Sequence, residues 1–258
     1  MPLPRVIVTR PAHDAARWVT ALAAHGVAAE ALPLIDIVPE PMAGELARAR
    51  AGLGAQDIAM FVSGNAVDGF LSTAHGPAPD TVATRAWSPG PGTTAALRAA
   101  GWPPARIDAP AADAAQFDSE SLWEQVHGQV RPGLRVLIVR GGDAAGRVAG
   151  RDWLAAQLAE RGAVVEQVVA YRRAPPAWDE ARRAHAASAA ADGSLWLLSS
   201  SEAIANLGAG LPQQDWSGAA ALATHPRIAQ AARQAGFGTV RETRPALDAV
   251  VASIESMA

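Results

Sequence analysis

The chain of 258 residues contains no cysteine and no lysine, and only one tyrosine. Without cysteine there is no disulfide, no iron–sulfur cluster and no thiol nucleophile. Without lysine there is no Schiff-base chemistry and no P-loop lysine for phosphate; all 22 basic residues are arginine. Charged residues make up only 18%, and a formal net charge of -3 argues against a nucleic-acid partner. No apolar run approaches the roughly 18 residues of a membrane span. The apolar stretch in MPLPRVIVTR is too short for a signal peptide, so a cytoplasmic protein with no membrane partner is expected. The six histidines are scattered, without H-x-x-x-H or His/Asp spacing, and no metal site is expected.

What is present is an apolar half, enough for a packed core, and a repeat. VIVTRP at 6–11 is answered by VLIVRG at 136–141, and FVSGNAV at 61–67 by LLSSSEAI at 197–204. LRAAGW at 97–102 is answered by ARQAGF at 232–237, and the offset stays near 130 to 137 residues. That is too long for a solenoid period. It predicts two similar globular halves forming one cleft.

Short Val/Ile/Leu-rich runs alternate with helical stretches. The expected strands are Arg5–Thr9, Val27–Leu34, Ile58–Val62, Thr81–Trp87, Arg106–Asp108, Arg135–Val139, Val164–Val169, Leu195–Leu198, Ala219–Ala223 and Thr239–Arg241. Continuous apolar strands between helices indicate parallel sheet buried on both faces. The fold class is therefore α/β, with two doubly wound parallel sheets. Two extended runs, Leu32–Pro39 and Val168–Pro175, overshoot their strands and stop at proline. They read either as connectors that cross between domains and pair antiparallel, or as edge strands ending in a Pro turn.

In open parallel sheets, ligands bind outside the carboxyl ends of the strands. Polar residues gather there: Thr9-Arg10, Ser63-Gly64-Asn65, the turn before Thr93, Ser119, Arg140-Gly141, Ser199-Ser200 and His225-Pro226-Arg227. Hydroxyl and amide side chains at such junctions are also good helix N-caps, and glycines there suit turns. Capping does not account for arginines at the equivalent strand ends, Arg10 and Arg140, with Arg147, Arg151 and Arg227 close in sequence. Helix N-termini, hydroxyls and arginines together suit carboxylates or phosphates. Neither TRPAHDAA nor RGGDAAGR supplies G-x-G-x-x-G, and no Walker loop or G-x-S-x-G elbow occurs. Tyr171, at the junction of strand and connector, is either a phenolic acid or a half-buried aromatic.

Together these segments resemble the uroporphyrinogen-III synthase family. The likeness rests on VTRP, ALPL, F-x-S-x-NAV, G-P-G-T before AALRAAG, Ser119-Glu120, LIVRG, WLAAQLAERGA, V-x-x-Y-R-R-x-P, LLSSSEAI and THPRIAQAARQAGF, in order over nearly the whole chain. The sequence departs from the family in Val62-Ser63-Gly64, where a Thr-Ser pair is common, and in HPR where a G-P-x-T turn is expected. The resemblance implies two flavodoxin-like domains joined by a two-stranded antiparallel linker. Domain 1 takes 1–36 and 174–258, domain 2 takes 40–169, and the linker takes 33–39 and 168–175.

It further implies a monomeric, cofactor-free cyclase that closes the linear tetrapyrrole hydroxymethylbilane to uroporphyrinogen III. The last pyrrole ring is inverted and water is lost. A transient contact with the preceding pathway enzyme is expected. Tyr171 matches a general acid. Thr9, Ser63, Asn65, Thr93, Ser119, Gly141, Ser199, Ser200, His225 and Arg227 match substrate contacts. Arg10 and Arg140 match arginines that either bind substrate or brace the sheet. The rival reading is a two-lobed protein that binds an anionic small molecule without chemistry.

Overall fold

The computed structural model describes residues 3–71, 76–148 and 152–257. The chain divides into two compact units, one of residues 1–36 and 174–258 and the other of residues 37–173. The chain begins in the first unit with β1 (Val6–Val8), α1 (Ala12–Ala24) and β2 (Ala29–Ala31). The second unit follows as β3 (Asp36–Pro39), α2 (Gly44–Ala51), β4 (Ile58–Phe61), α3 (Gly64–Leu71), β5 (Arg85–Trp87) and α4 (Pro91–Ala99). It continues as β6 (Ile107–Asp108), α5 (Ser119–Val126), β7 (Arg135–Gly142), α6 (Trp153–Glu160) and β8 (Val164–Ala174). The return to the first unit adds α7 (Glu180–Ala191), β9 (Leu195–Leu198), α8 (Ser201–Gly210), β10 (Ala220–Ala223), α9 (Pro226–Gln234), β11 (Thr239–Glu242) and α10 (Leu247–Glu255).

The first unit holds a five-stranded sheet, β11-β10-β9-β1-β2, with every pair parallel. The second holds a six-stranded sheet, β3-β8-β7-β4-β5-β6, whose pairs from β8 to β6 are also parallel. Set side by side, β7 and β8 take the places of β1 and β2, and β4, β5 and β6 those of β9, β10 and β11. This is a flavodoxin-like order in both units. It also fits the repeat, because VIVTRP and VLIVRG fall on the equivalent central strands.

Strands buried on both faces explain the unbroken apolar runs: β4, β9 and all of β7 after Arg135 are buried throughout. Alternate residues feed opposite faces. In the second unit Ala59, Phe61, Leu137 and Val139 pack with α2, α3 and Trp102. Ile58, Met60, Val136 and Ile138 pack with α5 and α6 through Leu122, Val126, Leu154 and Leu158. In the first unit Val6, Val8, Leu195, Leu197 and Leu222 pack against α1 and α10.

Strand boundaries differ from expectation in an informative way. Thr81–Trp87 shortens to Arg85–Trp87: Thr81 closes the 3-10 turn Pro79–Thr81, and Thr84 gives its hydroxyl to the Leu53 and Gln56 carbonyls before the strand begins. Val27–Leu34 shortens to Ala29–Ala31. Conversely β7 and β8 run past their expected ends. Arg140-Gly141-Gly142, expected just past the strand Arg135–Val139, stays in the strand through a register shift between Arg140 and Gly141. At the edge of that sheet β3 is the hydrogen-bonded neighbour of β8. Just beyond β3, Glu40 donates its N–H to the Ala170 carbonyl and forms an ion pair with Arg172 at 3.0 Å.

Candidate active site

The candidate residues lie in the last residues of the parallel strands, as Arg140, Gly141 and Tyr171 do, or just past them where the chain turns into helices. The second unit carries the tightest group. Tyr171, on β8, is buried, and its hydroxyl lies 3.1 Å from Ser63 Oγ. Ser63 follows β4 and caps α3, its Oγ accepting the Ala66 N–H at 3.2 Å. Opposite Tyr171 in the ladder sits Gly141. A Cβ on Gly141 would stand 2.6 Å from Tyr171 Cζ and 2.8 Å from its hydroxyl, so only glycine leaves the ring its place. Asn65 is the second residue of α3 and half-buried.

Arg140 belongs to the other face of the sheet. Its side chain is 5% exposed, and Nη1 donates to Asp152 Oδ1 and to Gln167 Oε1, both at 2.6 Å. It lines a small recess with Ser119, Met60, Val62, Ile138, Leu154 and Ala155. Ser119 is the first residue of α5, which is capped by Asp118 accepting the Ser121 N–H at 2.9 Å. Thr93 is buried in the first turn of α4. Beyond β7, Asp143 Oδ1 accepts the N–H groups of Ala145 and Arg147, and Oδ2 pairs with the Arg147 guanidinium. These bonds, the Arg147 backbone first, hold the Asp143 carboxyl below the usual carboxylate range. Arg151 lies outside the described residues.

In the first unit Thr9 is buried and its hydroxyl donates to the Leu197 carbonyl at 2.7 Å, which ties β1 to β9. Arg10 is different. Its guanidinium lies 4.6 Å from the Trp18 ring centroid, and its buried Nε has no hydrogen-bond partner among the described residues. Burial pushes the Arg10 pKa down, with Asp14 raising it and Arg17 lowering it further. Ser200, not Ser199, occupies the capping position equivalent to Ser63, its Oγ accepting the Ala203 N–H. His225 caps α9 through Nδ1, which accepts the Arg227 N–H at 3.1 Å, and Arg227 is exposed.

The expected residues thus form separate groups. Ser63, Gly141 and Tyr171 meet; Ser119 and Arg140 share a recess; Arg10 stands with Trp18. Trp18, Asp152, Gln167 and Asp118 were not singled out as partners. Asp118 carried a signal, since aspartate before a helix is a preferred cap, but the pairing of Gln167 with Arg140 depends on a cross-strand register that sequence spacing does not reveal. Among the described residues, no group of three or more His, Cys, Asp or Glu could hold a metal. No helix there is long and apolar enough to cross a membrane.

Fold and site together define a two-unit α/β protein with flavodoxin-like sheets and arginines, hydroxyls and helix N-termini at the strand ends. A family model described as "Uroporphyrinogen-III synthase HemD" matches residues 16–252. The chain belongs to the uroporphyrinogen-III synthase family. Its fold is similar to that of uroporphyrinogen-III synthetase from Helicobacter pylori, with a TM-score of 0.60 and 14% identity over 99% of this chain and 100% of that one. It is similar also to a mutant uroporphyrinogen III synthase from Thermus thermophilus, with a TM-score of 0.55 and 16% identity over 98% of each chain. No curated protein matches the sequence.

Proposed function

We propose that this chain closes hydroxymethylbilane to uroporphyrinogen III, inverting the last pyrrole ring and releasing water. The family match across residues 16–252 carries this reading. The chemistry fits side chains that bind and orient. Loss of the bilane hydroxyl leaves a cation delocalised over pyrrole rings, and the attacking pyrrole carbon is already nucleophilic. On this reading no cofactor takes part. The bilane also closes unaided to the wrong isomer, so the protein's task is to hold one conformer and to steady the cation.

Within that reading Tyr171 is the general acid. Its phenol O–H breaks, the proton passes to the hydroxymethyl oxygen, and the C–O electron pair departs with water. The proton displaced from pyrrole carbon on closure restores the phenol. Arg10 is the favoured carboxylate ligand, because its buried Nε is uncommitted and a desolvated guanidinium binds carboxylate strongly. Arg140, held by Asp152 and Gln167, braces the second sheet. The first turns of α4, α8 and α9, beside Thr93, Ser199 and Arg227, offer N–H groups to further carboxylates. The same proposal takes the protein as monomeric and cytoplasmic, in transient contact with the enzyme that supplies the bilane. It takes segments 33–39 and 168–175 as the antiparallel linker.

The test is isomer analysis. The protein is incubated with enzymatically generated hydroxymethylbilane, the products are oxidised, and the porphyrin isomers are separated. Type III in excess over type I is expected. A ratio unchanged by the protein, with binding retained, leaves a binding protein for an anionic molecule.

A further inference from the structure

Tyr171 is the only tyrosine of the chain, and three features fix its phenol. The ring is buried in the apolar cluster with Phe61, Val139 and Ala170. Gly141, directly across the ladder, leaves no room for even one methyl group beside the ring. Ser63 Oγ reaches the phenol oxygen at 3.1 Å. A serine hydroxyl carries one hydrogen and two lone pairs. One lone pair of Ser63 is engaged by the Ala66 N–H at 3.2 Å.

We propose that Ser63 and Gly141 are positioning residues that aim the Tyr171 proton at the substrate. Ser63 donates its hydrogen to the phenol oxygen, so the phenol's own hydrogen points away from Ser63. When that proton leaves, the same Ser63 O–H is a charge-assisted donor to the phenolate. Gly141 keeps the ring in the one rotamer that meets Ser63. The register shift between Arg140 and Gly141 serves this purpose, because it sets Gly141 opposite Tyr171. Ser63 thereby acts through Tyr171 and is not a carboxylate ligand. The inference rests on Tyr171 being the acid.

The test joins kinetics on hydroxymethylbilane to the NMR signal of tyrosine labelled with carbon-13 at Cζ, a single resonance in a chain with one tyrosine. Ser63→Gly removes the hydroxyl yet leaves a residue that is itself well tolerated at a helix N-cap. It is expected to move the tyrosine resonance and to lower kcat about 10-fold or more, the range of one hydrogen bond to a charged group. KM should stay within about two-fold, since substrate binding is untouched. Ser63→Thr should return both readouts towards wild type, and Gly141→Ala should lower kcat and move the resonance. A raised KM with unchanged kcat in Ser63→Gly makes Ser63 a substrate ligand and overturns the proposal. So does a resonance that stays put. A Tyr171→Phe protein with full turnover, while Ser63→Gly still moves the resonance, leaves the pairing in place but removes the acid, and the catalytic claim falls with it.

Discussion

Asp192 shows how one carboxylate at the end of a helix joins three elements. It follows α7, and its Oδ1 accepts both the N–H of Ser194, at 3.0 Å, and the Ser194 hydroxyl, at 2.6 Å. Its Oδ2 pairs with Arg5 at the entrance to β1. Partial burial works to raise the Asp192 pKa, but the bonds from Ser194 and the charge of Arg5 outweigh it and hold the carboxyl below its ordinary value. A carboxyl depressed in the folded state stabilises above its unfolded pKa, near 4, and that contribution disappears as pH falls through the folded value. Asp192→Asn should therefore melt below the wild type at pH 7, and the gap should close as the pH is lowered past about 4. Thermal melts across that range check it, and equal melting points at neutral pH would refute it. Residue roles of this kind were only partly legible. Capping by Ser200 was open to reading, because a hydroxyl just before a helix is a preferred cap. The partners of Tyr171, Arg140 and Arg10 were not, since each depends on atoms that the fold alone brings together.

At the scale of elements, glycine separates what the sequence reveals from what packing adds. Helix α8 contains Gly208 and ends at Gly210, and nothing local tells them apart. A Cβ on Gly208 would meet nothing within 4 Å, whereas one on Gly210 would lie 2.6 Å from Cδ2 of the Trp178 indole. Gly208→Ala should raise stability by about 0.5–1 kcal/mol by relieving the entropic cost of glycine in a helix. Gly210→Ala should lower it by about 1–3 kcal/mol through overpacking. Chemical denaturation of the pair decides the matter, and similar effects at both positions would show that Trp178 yields freely. Strand reading met the same limit. Apolar runs marked the inner strands of both sheets most plainly, because burial on two faces leaves a signal in composition. Strand ends left none: β7 continues through two glycines, and at Gly141 only the missing side chain leaves room for the Tyr171 ring on β8.

For the whole molecule the decisive fact is the order in which the chain builds its two sheets. The first unit is laid down as β1 and β2, interrupted, and completed by β9, β10 and β11; the second is continuous. The repeat was therefore readable as two equivalent sets of segments, although the second set begins at the strand equivalent to β9. The consequences for folding are unequal. Residues 37–173 contain every strand of the six-stranded sheet but the first residue of β3 and the last of β8, and both faces of its core, from Leu46 to Tyr171. Residues 174–258 lack β1, which lies between β9 and β2, and with it Val6, Val8, Ala15, Leu22 and Val27 of the core. Losing β1 and β2 together leaves one edge of β9 unpaired and exposes the apolar inner faces of α10 and β9, a deficit no local propensity offsets. The fragment 37–173 should fold alone, with α/β circular dichroism and a cooperative melt. The fragment 174–258 should not, until a peptide of residues 1–36 is added. A non-cooperative melt for 37–173, or a cooperative one for 174–258 by itself, would mean that the two compact units are not the units in which the chain folds.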